Sequence, residues 1–320
     1  MSNTITICIC TFRNPAGLQS LLQGLDQQVL DTVEDSDLTV AVVDNDADGS
    51  AGDTLDAYAA HGRFRLLREV QSARGLSNAR NSALKLAFAS QSDLFAFLDD
   101  DEVPGANWVE RLVECFSDAN ANVVVGPVEP RFEALPPQWI SSGDFFHKRC
   151  PDSGELHEGY TSNVMMRTRA IAASEVLFDV TLNSIGGEDV VFFRELRGRG
   201  IQVRCAPQAV VYEFIPRGRA SLKWMMRRWL RSGATSALLA NGANVGLRVR
   251  LANAARGLGR MVAGSMLVLY KAITRGRRDF GSVARSISTV CRGAGMFLAA
   301  FGISYREYGA TYRRNMKRNR

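Results

Sequence analysis

Apolar residues arrive in short blocks along the first hundred positions, and the blocks end in polar or charged residues. TITICIC at 4–10, LTVAVVD at 38–44, FRLLREV at 64–70 and LFAFLDD at 94–100 have the length and side-chain character of strands. Between them lie segments of helical length: 15–29, with Pro15 near its first turn, then 51–60 and 77–89. Strands alternating with helices of roughly 10 to 15 residues predict an α/β fold, a mostly parallel sheet with helices on both faces. Ligands of such sheets bind at the carboxyl ends of the strands. Residues 129–160 are irregular, with Pro130, Pro136, Pro137 and Pro151, and read as a long functional loop or a small subdomain. TSNVMMR at 161–167 resumes a strand. Gly186-Gly187-Glu188-Asp189 then opens an apolar-periodic helix, and strands near 202–205 and 209–214 precede a helical, basic stretch from Ala220 onward.

Three strand ends carry candidate chemistry: Thr11-Phe12-Arg13-Asn14, Asp44-Asn45-Asp46 and Asp99-Asp100-Asp101-Glu102. Carboxylates at i and i+2 of an extended backbone point to one side, so Asp99 and Asp101 can converge on a hard divalent cation and a substrate phosphate. The competing reading is a solvated acidic turn capping a helix that starts near Pro104. Two acidic clusters on one sheet edge need a cation or a hydrogen-bonding ligand between them, and a nucleotide offers both. Arg74 and Arg80 sit in RGLSNARN at a helix start, where Ser77 or Asn78 is a candidate cap and unpaired N–H groups attract anions. Arg80 is a partner for the acidic clusters or a diphosphate, or else a surface arginine. Glu188 and Asp189 lie at another helix N-terminus, whose dipole favours an ionised carboxylate able to act as a general base. Neither GxxxxGK[ST] nor a strand-anchored GxGxxG occurs, so P-loop and dinucleotide cradles are missing.

As an ordered set, these residues resemble the inverting family-2 glycosyltransferases of the GT-A fold. The resemblance covers about residues 4–230. It is carried by CTFRNP, the Asp44 turn, RGLSNARN, the DDD triad in place of a DxD motif, and the Glu188-Asp189 pair. FLDDDEVP, SSGDF, GYTSN, GGED and RASLKW are further similar to bacterial glucosyltransferases that extend lipid-linked, succinoglycan-type exopolysaccharide repeats. The resemblance implies that Asp44 binds uracil or ribose, and that Asp99 and Asp101 position the sugar nucleotide and its Mg2+ or Mn2+, Asp101 more directly. Thr11, Phe12, Arg13, Arg74, Arg80 and Asp100 complete the expected nucleotide-sugar site. Asp189, with Glu188 beside it, is the expected catalytic base, and an α-linked UDP-sugar would yield a β-linkage.

Two departures qualify the likeness. Tyr212 stands where many relatives place a His near the metal or diphosphate. The QxxRW motif of processive synthases is here Met225-Met226-Arg227-Arg228-Trp229, without Gln. The sequence therefore favours a transferase that adds one sugar and releases. Arg228 and Trp229 either touch diphosphate or acceptor, or Trp229 packs in a helical core.

Charge divides the 320-residue chain. Residues 1–216 hold 17 basic and 31 acidic residues, net −14, whereas 217–320 hold 22 basic residues and only Asp279 and Glu307 as acids, net +20. This predicts a GT-A catalytic domain over 1–216 and a basic helical region over 217–320 that meets a polyanion. The apolar runs 261–273 and 293–305, flanked by Arg and Lys, are short of the about 20 residues a spanning helix needs. They fit helices lying in an anionic membrane surface, to which the terminal YRRNMKRNR adds attraction, with core packing as the alternative. RNP, KH and zinc-finger signatures are missing, so nucleic acid is not expected as a partner. The N-terminus lacks a signal-peptide pattern, and the expected address is the cytoplasmic face of a bacterial inner membrane. Cys8, Cys10, Cys115, Cys150, Cys205 and Cys291 show no CxxC spacing, so zinc and a disulfide framework are not expected. A metal-dependent nucleotidyltransferase and a non-catalytic membrane or nucleic-acid adaptor remain the rival readings. The first wants a Gly-rich triphosphate loop that TFRNP does not supply.

Overall fold

The computed structural model describes residues 3–117, 121–150, 159–183, 186–241, 246–274 and 279–303. Its strands are β1 (Ile5–Thr11), β2 (Leu38–Asp44), β3 (Arg65–Val70), β4 (Leu94–Asp99), β5 (Glu102–Pro104), β6 (Val123–Val125), β7 (Val128–Phe132), β8 (Asn163–Arg167), β9 (Val203–Cys205) and β10 (Val211–Ile215). Its helices are α1 (Pro15–Asp26), α2 (Gly52–His61), α3 (Leu76–Ala89), α4 (Trp108–Glu114), α5 (Gln138–Gly143), α6 (Thr168–Ser174), α7 (Glu188–Gly198), α8 (Leu222–Asn241), α9 (Leu247–Thr274) and α10 (Phe280–Ala300).

Seven strands form one sheet in the order β3-β2-β1-β4-β8-β6-β9, while β5, β10 and β7 form another. β3, β2, β1 and β4 are parallel, β8 runs antiparallel to both β4 and β6, and β9 is parallel to β6. Strand alternation produces the layers. Ile5, Ile7, Ile9, Val40, Val42, Ala96 and Leu98 pack with Leu18, Leu21 and Leu25 of α1, Leu55 of α2 and Trp108 of α4. On the other face, Cys8, Ala41, Val43, Phe95 and Phe97 meet Ala79, Ala83 and Ala87 of α3 and Phe192, Phe193 and Leu196 of α7. Central strands buried on both faces read as unbroken apolar blocks, which is why these blocks were conspicuous in the sequence.

The described residues of Met1–Arg131, His147–Asn183 and Glu188–Phe214 make one compact unit, holding the seven-stranded sheet. Those of Phe132–Phe146, Ser184–Gly187 and Ile215–Arg320 make a second. In the second, α10 packs along α8, α9 and α5. Gly295 permits the close approach: a Cβ there would run into the Leu230 carbonyl of α8. Trp229 is buried in this unit with Ile140, Phe146 and Met225, so its role is core packing.

Several local expectations change. The acidic turn after β4 leads into the short strand β5, not a helix near Pro104, and α4 begins only at Trp108. Within the apolar run 293–305, Gly293, Gly295, Met296, Ala299 and Ala300 are buried in the helical unit, whereas Phe301 and Ile303 beyond the helix are exposed, so only the helical part of the run is core. Cys150 and Cys205, 55 positions apart in sequence, are joined as a disulfide with Cα atoms 5.7 Å apart, contrary to the expectation of none. Spacing rules could not see it, because β9 delivers Cys205 to the site. The YRRNMKRNR tail lies outside the described residues. Among those residues, no helix is long and apolar enough to cross a membrane.

Candidate active site

Parallel register sets the site. Thr11 stands level with Asp44, and Cys10 with Asp99, so the ends of β1, β2 and β4 deliver their polar residues to one sheet edge. The Thr11 hydroxyl donates to Asp100 Oδ2 at 2.6 Å, and Asn14 Nδ2 donates to the Asp100 carbonyl at 3.2 Å while its Oδ1 caps α1 through Gly17 N–H. Burial pushes the Asp100 carboxyl up to about 6, against the lowering bonds from Thr11 and Asn14, with Asp101 and Asp99 raising it further. Asp100 therefore braces the turn between β1 and β4. Asp99 keeps a side chain 40% exposed. Its N–H donates to Glu102 Oε2 at 2.9 Å. Glu102 is buried, its Oε1 lacks a hydrogen-bond partner, and burial together with Asp99 and Asp101 raises its pKa. The strand-end pattern singled out the triad but gave Glu102 no role of its own.

Arg80, fifth in α3 after Gly75, is buried beneath this edge. Its guanidinium donates to Glu188 Oε1 and lies 3.5 Å from Asp99 Oδ1. Burial alone would lower the Arg80 pKa, but Glu188, Asp99 and Asp189 outweigh it and hold the group cationic. It is no surface arginine. Burial raises the Glu188 pKa, Arg80 opposes, and Asp189 adds to the rise. Asp189 is only half-buried, and its Oδ1 accepts from Val190 N–H at 2.8 Å. The two residues thus differ: Glu188 is bonded to Arg80, and Asp189 is left half-exposed on the first turn of α7.

The start of α3 is not an open anion site. Asn183 Oδ1 accepts from Ser77 N–H at 2.9 Å and Asn78 N–H at 3.4 Å, so the cap comes from over a hundred residues away and not from Ser77 or Asn78. Gly75, at φ +140°, makes room for it, since a Cβ there would strike the Asn183 side chain. Ser77 and Asn81 instead fasten the 178–183 segment, through Asp179 and Phe178.

At the β2 end, Asp44 accepts from Asp46 N–H at 3.0 Å and Ala51 N–H at 2.7 Å, organising the loop into α2. Asn45, which sequence reasoning left without a role, bonds the carbonyls of Gln71 and Ala73 and the N–H of Gly75, joining the β2 turn to the loop before α3. Arg13 grips Asp46 at 2.7 Å, and its hydrogen bond holds the Asp46 carboxyl below the usual range. The Arg13 and Arg74 guanidiniums lie 5.3 and 4.7 Å from the centre of the Phe12 ring, placing two cations around one aromatic ring at the edge.

Carboxylate oxygens are hard donors suited to Mg2+ or Mn2+. Among the described residues, no three His, Cys, Asp or Glu side chains are arranged to hold a metal by themselves. Asp99 and Asp101, with the unpartnered Glu102 oxygen nearby, fit the alternative of a cation shared with substrate phosphates. Cys10, the adjacent thiol, is pushed up to about 12 by burial, with Arg80 opposing and Asp99 and Asp100 adding, and so remains protonated. Tyr212 is occupied by Arg131, whose guanidinium carbon lies 3.6 Å from its ring centre.

The Glycosyl transferase family 2 model matches residues 6–174. Succinoglycan biosynthesis protein ExoM of Rhizobium meliloti (strain 1021) is 35% identical over 259 residues, covering 79% of this chain and 82% of that protein. Two solved structures are similar in fold. Mannosyltransferase PcManGT from Pyrobaculum calidifontis, in complex with GDP-Man and Mn2+, gives a TM-score of 0.58 at 14% identity, over 92% of this chain and 87% of that one. S. aureus TarS 1–349 in complex with UDP-GlcNAc gives 0.53 at 14% identity, over 96% and 93%. This chain spans 45% of a longer TarS chain.

Proposed function

The chain belongs to glycosyl transferase family 2, and from that premise we propose that it moves one sugar, glucose from UDP-glucose, with inversion onto a lipid-linked saccharide during exopolysaccharide synthesis. The observation that carries the reading is Arg80, whose guanidinium bonds Glu188 beside Asp99. It ties the first turn of α7, and with it Asp189, to the end of β4, where the carboxylates for the donor stand. The identity to ExoM supports the exopolysaccharide setting, and the fold shared with TarS bound to UDP-GlcNAc supports a UDP-sugar. Lack of the Gln of QxxRW supports single addition over processive synthesis.

In this reading Asp44 binds the uracil or ribose, with Thr11, Phe12, Arg13 and Arg74 around the nucleotide. Arg80 and Asp100 fix the edge on which it lies. Asp99 and Asp101 would hold Mg2+ or Mn2+ together with the diphosphate, and when bound such a cation offsets the charge growing on the departing UDP. Asp189 removes the proton from the acceptor hydroxyl. The freed oxygen pair forms a bond to C1 from the face opposite UDP, the C1–O bond to UDP breaks, and an α-linked donor gives a β-linked product. The basic C-terminal third holds the enzyme peripherally at the cytoplasmic face of the bacterial inner membrane, where the acceptor is embedded.

A donor screen tests this: UDP-glucose should be consumed and its sugar recovered in a lipid extract, and EDTA should stop the reaction until Mn2+ is restored. Full transfer by a folded Asp189→Ala protein would sink the mechanism. Transfer indifferent to EDTA would count against the roles of Asp99 and Asp101.

A further inference from the structure

The helix α9 is apolar on two sides, their centres about 120° apart around its axis. Its packing side presents Ala254, Gly257 and Gly264, buried where Gly257 approaches Gly293 and Phe297 of α10 and Gly264 approaches Val290. The second side carries Leu251, Leu258, Val262, Met266, Leu269 and Ile273, each 48–76% exposed. At 100° per residue these six fall within an arc of about 80°, and at 1.5 Å rise they run for about 33 Å along the helix. A continuous exposed apolar stripe of that length is unusual on a soluble surface and marks a contact face.

We infer that this stripe of α9 is the surface that lies in an anionic lipid bilayer, with the helix axis parallel to the membrane plane. The inference rests on the membrane placement proposed above and names the face responsible. Charge chooses the occupant. Exposed Arg248 stands at the edge of the stripe and exposed Arg256 about 80° beyond that edge, within a region of 22 basic and two acidic residues. A second copy of the chain would bring two such regions together, like against like, whereas anionic headgroups complement them. Leucine-rich faces with arginine at their edges bury the apolar side chains at the acyl boundary while the guanidiniums stay with the headgroups.

The test uses the full chain with vesicles of phosphatidylcholine, with and without phosphatidylglycerol. Wild type should sediment with the anionic vesicles, less so at high salt. Leu258→Glu with Leu269→Glu should weaken partitioning by ~100-fold while UDP binding in Mn2+, measured by calorimetry, is unchanged. Leu135→Glu, at a residue 99% exposed in another part of the chain, should partition as wild type does. A Met266→Trp protein should gain emission that brominated lipids quench. If the double variant binds vesicles as well as wild type, or the new tryptophan is not quenched, another surface is used and the inference fails alone. If light scattering shows a dimer that the double variant dissolves, the stripe belongs to a second copy. Should wild type bind neither vesicle, the membrane placement falls with it.

Discussion

Glu188 and Asp189 are adjacent carboxylates with different tasks, and the difference is measurable. Glu188 is buried and bonded to the buried Arg80, so removing it leaves that cation only the longer contact to Asp99, at 3.5 Å. Breaking such a pair costs about 3–5 kcal/mol. Glu188→Ala should therefore lower the unfolding free energy by that order and reduce activity as a consequence of lost structure. Asp189 is half-buried and accepts the N–H of its neighbour Val190 at 2.8 Å. Asp189→Asn should leave stability within about 0.5 kcal/mol. A missing general base costs ~10²–10⁴-fold in rate, and that fall should appear in kcat with UDP binding retained. Denaturant unfolding beside steady-state kinetics separates the two: a stable Glu188→Ala protein would remove the anchoring role, and an unstable Asp189→Asn protein the purely chemical one.

At the scale of elements, loops are fastened by polar residues that tertiary structure brings from far away. Glu110 of α4 is the clearest case. Its Oε1 accepts N–H groups of Asp31, Thr32 and Val33 at 2.8–3.1 Å, and Oε2 accepts the Thr32 hydroxyl at 2.5 Å. Burial pushes the carboxyl up, but these four donors outweigh it and the pKa ends below its ordinary value. A depressed folded-state pKa gives stability that is present above the unfolded value, about 4.3, and is lost as pH falls through the lower folded value. Glu110→Gln should accordingly cost about 2 kcal/mol at pH 7, with the gap from wild type closing below ~pH 4 in thermal melts. A gap constant across that range would mean the charge contributes nothing. Such anchors explain what the sequence concealed. The buried strands and the acidic strand ends were legible because each is a local pattern. Asn183 capping α3, Glu102 under Asp99, Asn45 across two loops and the Cys150–Cys205 bridge pair residues whose meeting depends on the finished sheet. The antiparallel insertion of β8 was equally hidden, since TSNVMMR carries no mark of direction.

For the whole molecule, the net charge of +6 is the sum of a region at −14 and another at +20, and the charge boundary at 216/217 does not coincide with the packing. The second compact unit includes Phe132–Phe146 as well as the helices from Leu222 onward. Phe146 stacks on Trp224 with ring centres 6.0 Å apart, Phe145 meets Trp229 at 5.4 Å, and Trp139 meets Phe280 at 5.8 Å. A chain ending at Pro216 keeps one side of each pair and loses the other, which bares Ile140, Phe146 and Ile215, all now buried. Each such side chain is worth about 1.5–3 kcal/mol when buried, and together they form a patch that water will not tolerate on an isolated sheet domain. The truncated chain should therefore elute as soluble aggregate in size-exclusion chromatography, although every proposed donor-binding residue is retained. Replacing Phe145 and Phe146 by Ser in that same truncation should recover monomer, because it removes the exposed aromatics without touching the strand ends. A truncated chain that is monomeric and binds UDP without those replacements would show that the basic helices are dispensable for folding, leaving membrane contact as their sole contribution.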